Sequence, residues 1–215
     1  MPMLGLSLPT FISRAITLVI AFTVHEFAHA WTANSFGDNT PRANGRLTLN
    51  PLAHLDVMGS LMLLVVGFGW AKPVPVNPYA LQRRSSAALM LVSLAGPLSN
   101  LLLAILASVF VRLNLVPNYR LAAFLPSASE FVFQFIIINL TLMLFNLIPL
   151  APLDGDKIAD YFLPPSWQRG LERIRPYGPM ILLLMLFVLP YLGFDVFSLI
   201  LLPPLRALYL LLTGG

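Results

Sequence analysis

The chain has 215 residues, of which 58% are hydrophobic and only 10% charged. Soluble domains carry about 25% charged residues, so this composition excludes a water-soluble fold and suits a single integral membrane domain over 1–215. The net charge of +4 is dispersed, with no aromatic-interleaved basic stretch to suggest nucleic acid, and the absence of cysteine excludes disulfides, thiolate metal sites and a cysteine nucleophile.

A helix needs roughly 20 apolar residues to cross a bilayer. The first such segment, residues 9–33, carries His25-Glu26-Phe27-Ala28-His29, with Arg14 near one end where it can snorkel. No basic leader with a small-residue cleavage site precedes it, so the segment is expected to stay in the mature protein. A polar loop, 34–50, follows, with Gly37-Asp38-Asn39 and Asn44-Gly45 as turn signals. Residues 58–68 are apolar but only about half a spanning length, which predicts a re-entrant or interfacial segment. It runs into Lys72-Pro73-Val74-Pro75-Val76-Asn77-Pro78, where the alternating prolines forbid helix and favour an extended strand with a free edge. Further spans are expected at 87–111, 131–150, 180–191 and 196–212. The fourth is short enough to span incompletely, and it pairs with the last as a C-terminal helix pair over 178–213. The predicted fold class is an all-α polytopic membrane protein with about five transmembrane helices.

Positive charge predicts the orientation. Arg42, Arg46, Lys72, Arg83 and Arg84 follow the first span, and Lys157, Arg169, Arg173 and Arg175 follow the third. The opposite loops and ends hold only Arg14, Arg112 and Arg120; Arg206, taken as lying toward the cytoplasmic end of the last span, is left out. Nine against three places the N-terminus outside and the loops after spans one and three in the cytoplasm of a multi-pass cell-membrane protein. His25, Glu26 and Asp154 then share one depth, near the cytoplasmic face.

Two histidines four residues apart on a helix sit about 40° apart around its axis, one turn above each other. They can hold one zinc ion, with the intervening Glu26 placed to act on its water. A carboxylate and two imidazoles are costly inside hydrocarbon unless they serve a site. A third ligand is needed, and Asp154, between Pro149/Pro152 and Gly155 at the end of the third span, fits at the same depth. Asp154-Gly155 can also be read as a turn leaving the membrane. His54 is the rival: it could line the site, touch the metal transiently or face water, and a structural or peripheral role is favoured. Thr32 and Ser35 stand where a longer zincin motif needs glycine and a third histidine, so that arrangement is absent.

His25-Glu26-Phe27-Ala28-His29, Gly96-Pro97-Leu98-Ser99-Asn100 and the Asn146 to Gly155 run, with its Leu153-Asp154-Gly155, closely resemble the site-2 protease family of intramembrane zinc metalloproteases. The likeness covers residues 10–155, and it implies a three-helix catalytic core within about 9–155. It also implies one zinc ion per chain held by His25, His29 and Asp154, with Glu26 as general base. Asn100 would face the site and help to hold substrate or the oxyanion, and the Gly69 to Pro78 region looks like the membrane-embedded β-hairpin of bacterial members. Set beside larger relatives, the resemblance implies a member without an earlier helix and without a PDZ or nucleotide-sensing domain. From the residues alone, Gly96-Pro97 also reads as a packing or kink pair, and Asn100 as bonding a neighbouring backbone group.

The expected function is therefore an intramembrane zinc endopeptidase acting near the cytoplasmic face. Its partners would be the lipid bilayer and single-span membrane proteins such as anchored regulators or remnant signal peptides. A divalent-metal transporter is the alternative from another class, although transport favours repeated halves and polar positions along a path. A non-catalytic membrane binding protein is the third, and it would have no use for Glu26.

Overall fold

The computed structural model describes residues 6–59, 62 and 69–215. Among these, five helices are long and apolar enough to cross a membrane: α1 (Leu8–Ser35), α2 (Ala88–Arg112), α3 (Ala128–Asn146), α5 (Pro165–Tyr191) and α6 (Val196–Thr213). A nine-residue helix, α4 (Asp154–Phe162), lies between the third and fourth of them. The chain is an all-α polytopic membrane protein.

Local chemistry explains the helix ends. The Ser7 hydroxyl caps α1, and a capping box starts α3: the Glu130 N–H donates to Ser127 Oγ while the Ser127 N–H donates to the Glu130 carboxylate. This box starts α3 three residues before the apolar run suggests. The helix also stops earlier than expected, because Pro149 and Pro152 cannot continue it and Leu153 is extended. Asp154 is consequently the first residue of α4 rather than the tail of the third span. The Asp195 carboxylate caps α6 by accepting the Ser198 N–H, directly after the turn at Gly193.

α1, α2 and α3 pack on one another as the central bundle, with α4 against α2 and α6 against α3 and α2. Ala104 of α2 and Ile136, Leu140 and Met143 of α3 form its buried seam, closed by Leu205, Leu208 and Leu212 of α6. Small residues such as Ala104 let helix backbones approach closely, which is how helices gain packing contact where lipid gives no hydrophobic drive. Arg112, at the end of α2, donates to the Leu211 and Leu212 carbonyls at the end of α6. α6 therefore runs parallel to α2, which sets Arg206 away from the end of the bundle where it was expected. At the other end of α6, Phe197 stacks on Phe145 at the close of α3, ring centroids 5.5 Å apart. α5 begins beside α4, where Arg175 Nε donates to both oxygens of the buried Asp156 at 2.9 and 3.0 Å, and it leads into α6 at that same end.

The loop between α1 and α2 is structured by buried polar groups. The expected re-entrant segment 58–68 falls largely on 60, 61 and 63–68, outside the described residues. Beyond it, residues 72–77 have no regular secondary structure, their prolines favouring extended backbone, and no strand forms among the described residues; a single antiparallel bridge joins Leu55 to Ala71. Leu81, in the short helix Pro78–Gln82, is fully buried against Ala33, Ala88 and Val92, and this fastens the far end of the extended segment to α1 and α2.

Candidate metal centre

α1 presents His25 and His29 on one face, as their spacing requires, and both are buried. Their Nε2 atoms are 3.0 Å apart, and Asp154 Oδ2 lies 3.2 Å from His25 Nε2 and 3.3 Å from His29 Nε2. Among the described residues these three side chains are the one group of acid and imidazole donors close enough to share an ion.

The hydrogen bonds behind the rings decide what faces this point. His29 Nδ1 lies 2.7 Å from the Val92 carbonyl, which can only accept, so Nδ1 carries the proton. His25 Nδ1 lies 2.7 Å from Asn100 Oδ1. The Asn100 amide nitrogen is committed as donor to the Ala21 carbonyl (3.3 Å) and to Asn139 Oδ1 (3.0 Å), which leaves Oδ1 as acceptor and His25 Nδ1 as donor. Both Nε2 atoms thus turn lone pairs toward Asp154 Oδ2, itself buried without a hydrogen-bond donor. Three acceptors meeting at one point need a positive charge between them, either a proton on one ring or a metal ion.

Two neutral imidazoles and a carboxylate form a donor set that zinc takes. With bonds of about 2.0–2.1 Å, a tetrahedral zinc site has ligand-to-ligand edges of about 3.3 Å, close to the three separations here. The Asp154 side chain keeps 18% of its surface exposed against 8% and 10% for His25 and His29, so the group opens on the Asp154 side. The residues present fit zinc. Burial by itself raises the carboxyl of Asp154; when the positive charge among the three groups is a proton on His29 or His25, the charge and hydrogen bonds of those rings outweigh burial and hold the carboxyl below the ordinary aspartate value.

Glycines set two of the approaches. A Cβ on Gly96 would lie 2.4 Å from His29 Nε2 and 2.6 Å from His25 Cε1, so only glycine lets α2 close over both rings. A Cβ on Gly155 would lie 2.2 Å from the Ile148 carbonyl oxygen, so glycine also lets the first turn of α4 pack on the chain leaving α3.

Glu26, also buried, accepts the Val74 N–H on Oε2 at 3.1 Å, which joins the extended segment to the motif helix. Asn100 does not face an open side; it stands behind His25 with all three of its bonds directed into the bundle. His54 stays outside the metal group: it is buried in the loop, its Nε2 bonded to the Thr48 carbonyl (2.7 Å) and its own carbonyl accepting the Lys72 N–H (2.8 Å). Sequence reasoning left Asn139 unmentioned, although an asparagine in an apolar helix is a signal in itself. It had no means of linking Val74 to Glu26, because no pattern shows which side chain a backbone N–H will meet.

The chain is 47% identical over 178 residues to the protein named "Putative zinc metalloprotease YwhC" of Bacillus subtilis, a match covering 81% of this chain and 80% of that one. The chain belongs to this zinc metalloprotease family. It is also 34% identical over 178 residues to "Putative zinc metalloprotease Rip2" of Mycobacterium tuberculosis, covering 81% of this chain and 66% of that protein. No family model and no solved structure matches it. In this chain the close approach of α2 predicts that Gly96→Ala, which drives a methyl group into both rings, lowers metal affinity by about ten-fold or more. Metal analysis of the purified variant, with circular dichroism to show retained helix, measures this; undiminished binding would contradict the packing described.

Proposed function

We propose that this protein is an intramembrane zinc endopeptidase of the site-2 protease type, hydrolysing peptide bonds of transmembrane segments near the cytoplasmic face, as in regulated intramembrane proteolysis. The observation that carries the reading is the meeting of His25, His29 and Asp154 lone pairs beside Glu26, within helices of membrane-spanning length. Similarity to proteins named as zinc metalloproteases supports it.

Zinc held by these three residues would supply a Lewis acid, lowering the pKa of a water toward about 7 and polarising a carbonyl. The protein's own groups do the rest. Asn100 and the Val92 carbonyl keep both Nδ1 atoms protonated, so that Nε2 of each ring stays a donor of electrons. Glu26, next to His25 in the chain, takes the proton of the attacking water and returns it to the leaving amine. The surrounding helices exclude bulk water from all but the Asp154 side, and a site near the cytoplasmic face gives water a short route.

Location selects the substrate class: single-span membrane proteins, such as anchored regulators or remnant signal peptides. A helical peptide bond is shielded by its own hydrogen bonding, so the substrate has to unwind locally, and in lipid its freed N–H and C=O groups need partners. Residues 70–77 can offer them by strand addition. The segment is less open than its sequence implies. Pro73 and Pro75 have no N–H, and those of Lys72, Val74 and Asn77 are already bonded to His54, Glu26 and Asp38. The N–H groups of Trp70, Ala71 and Val76 have no partner among the described residues, so they and the backbone carbonyls are what a substrate strand can meet.

Replacing Glu26 by glutamine keeps the shape and removes the base. The expected result is full zinc content with cleavage lost, read as membrane-protein fragments identified by mass spectrometry in cells carrying wild type or variant. Metal transport without proteolysis would favour a transporter instead. For orientation, the cysteine-free chain permits single-cysteine labelling in intact cells with a membrane-impermeant maleimide. A cysteine at Leu121 is expected to label and one at Arg42 to label only after lysis; the reverse pattern would overturn the proposed sidedness.

A further inference from the structure

The segment from Lys72 to Pro78 is stiff for a reason visible in its residues. Pro73, Pro75 and Pro78 each fix their own φ, and each restricts the residue before it, here Lys72, Val74 and Asn77, to extended conformations. Val74 stands between two of these prolines with one backbone donor to place.

Both flanks of Val74 are fastened to the protein. On one side the Lys72 N–H donates to the His54 carbonyl at 2.8 Å, and the Lys72 carbonyl accepts from the buried Arg46 guanidinium at 3.2 Å. On the other, the Asn77 N–H donates to Asp38 Oδ2 at 2.6 Å. Asp38 is 1% exposed, and its second oxygen accepts the Thr40 N–H at 2.9 Å, just past the end of α1. Two anchors and three prolines therefore deliver a single N–H to a single place, Oε2 of Glu26, 48 residues earlier in the chain.

A glutamate side chain in an unoccupied space can rotate about three bonds, and a general base works only when its oxygen lies within hydrogen-bond reach of the proton it removes. An N–H fixed on one carboxylate oxygen removes that freedom and leaves the other oxygen without a bond to the segment, through a contact to a charged acceptor that is stronger than one to a neutral acceptor. We propose that the Val74 N–H, held by Asp38 on one flank and by Arg46 and His54 on the other, is the positioning group for Glu26. The segment beside Glu26 thus also sets the geometry of the base. This inference rests on the endopeptidase reading.

The test compares Val74→Pro, which removes the N–H while suiting an extended proline-flanked site, with Val74→Ala, which keeps it. The probe is a single-span helix of about 20 residues carrying an Asn-Pro break, placed between two soluble tags and reconstituted with the zinc-loaded enzyme in liposomes. Both variants are expected to retain zinc and the wild-type KM. Val74→Pro should turn over roughly ten-fold to hundred-fold more slowly than Val74→Ala. Equal kcat in the two variants, or a faster Val74→Pro enzyme, overturns the positioning role alone. Absence of cleavage by wild type, here and in the cellular comparison, sinks the endopeptidase reading and this inference with it. A measurement independent of activity and of the proline variant uses protein labelled with nitrogen-15 valine, the Val74 amide being assigned by its loss in Val74→Ala. Its proton resonance should move upfield in Glu26→Gln as the charged acceptor is lost; an unmoved resonance contradicts the bond.

Discussion

Two imidazole lone pairs and a carboxylate oxygen that meet inside a membrane-type helix bundle repel one another unless positive charge sits among them, and the architecture follows from that constraint. α1 supplies two donors through helical spacing alone. α2 supplies the Val92 carbonyl and Asn100, which place the protons on the far side of each ring, and Gly96, which lets α2 approach the near side. The break after α3 brings Asp154 onto the first turn of α4, and Gly155 lets that turn pack closely. Each element is where it is because a displaced neighbour would leave one of the three acceptors facing nothing.

Low dielectric surroundings raise the stakes of every polar group nearby. Asn100 and Asn139 satisfy each other and two backbone carbonyls, a chain that runs from α1 through α2 to α3 and ends behind His25. Asp156, two residues beyond Asp154, is buried but held by Arg175 and Lys157, and the Arg175 pair ties α4 to α5. Asp38 and Arg46 perform the same service for the loop that carries the extended segment. Buried charges of this kind are strongly destabilising when a partner is removed, and here they act as fixed points around a site whose own groups must not drift.

The sequence exposed the spans and the three side chains that the structure brings together because both are written in local chemistry. Apolar runs of spanning length are long signals, and His25 and His29 reveal shared facing through spacing alone. Asp154 stood out because a carboxylate at membrane depth needs a reason. Helix boundaries were less legible: the box at Ser127 and Glu130 extends α3 backward, and the amphipathic start of α5 hides ten residues of helix before its apolar stretch. The direction of α6 was not legible at all, since it depends on Arg112 meeting carbonyls about a hundred residues away. Asn100 illustrates the middle case. Its residue type in a span marked it as important, yet only the positions of Ala21, Asn139 and His25 around it show that it bonds a histidine ring.

The most direct measurement is X-ray absorption at the zinc edge on purified wild-type protein in detergent. The account predicts one zinc per chain, with two imidazole nitrogens and oxygen as its nearest neighbours at about 2.0–2.1 Å in four-coordinate geometry. Protein free of stoichiometric zinc, or zinc surrounded by oxygen alone without the imidazole signature, would contradict it.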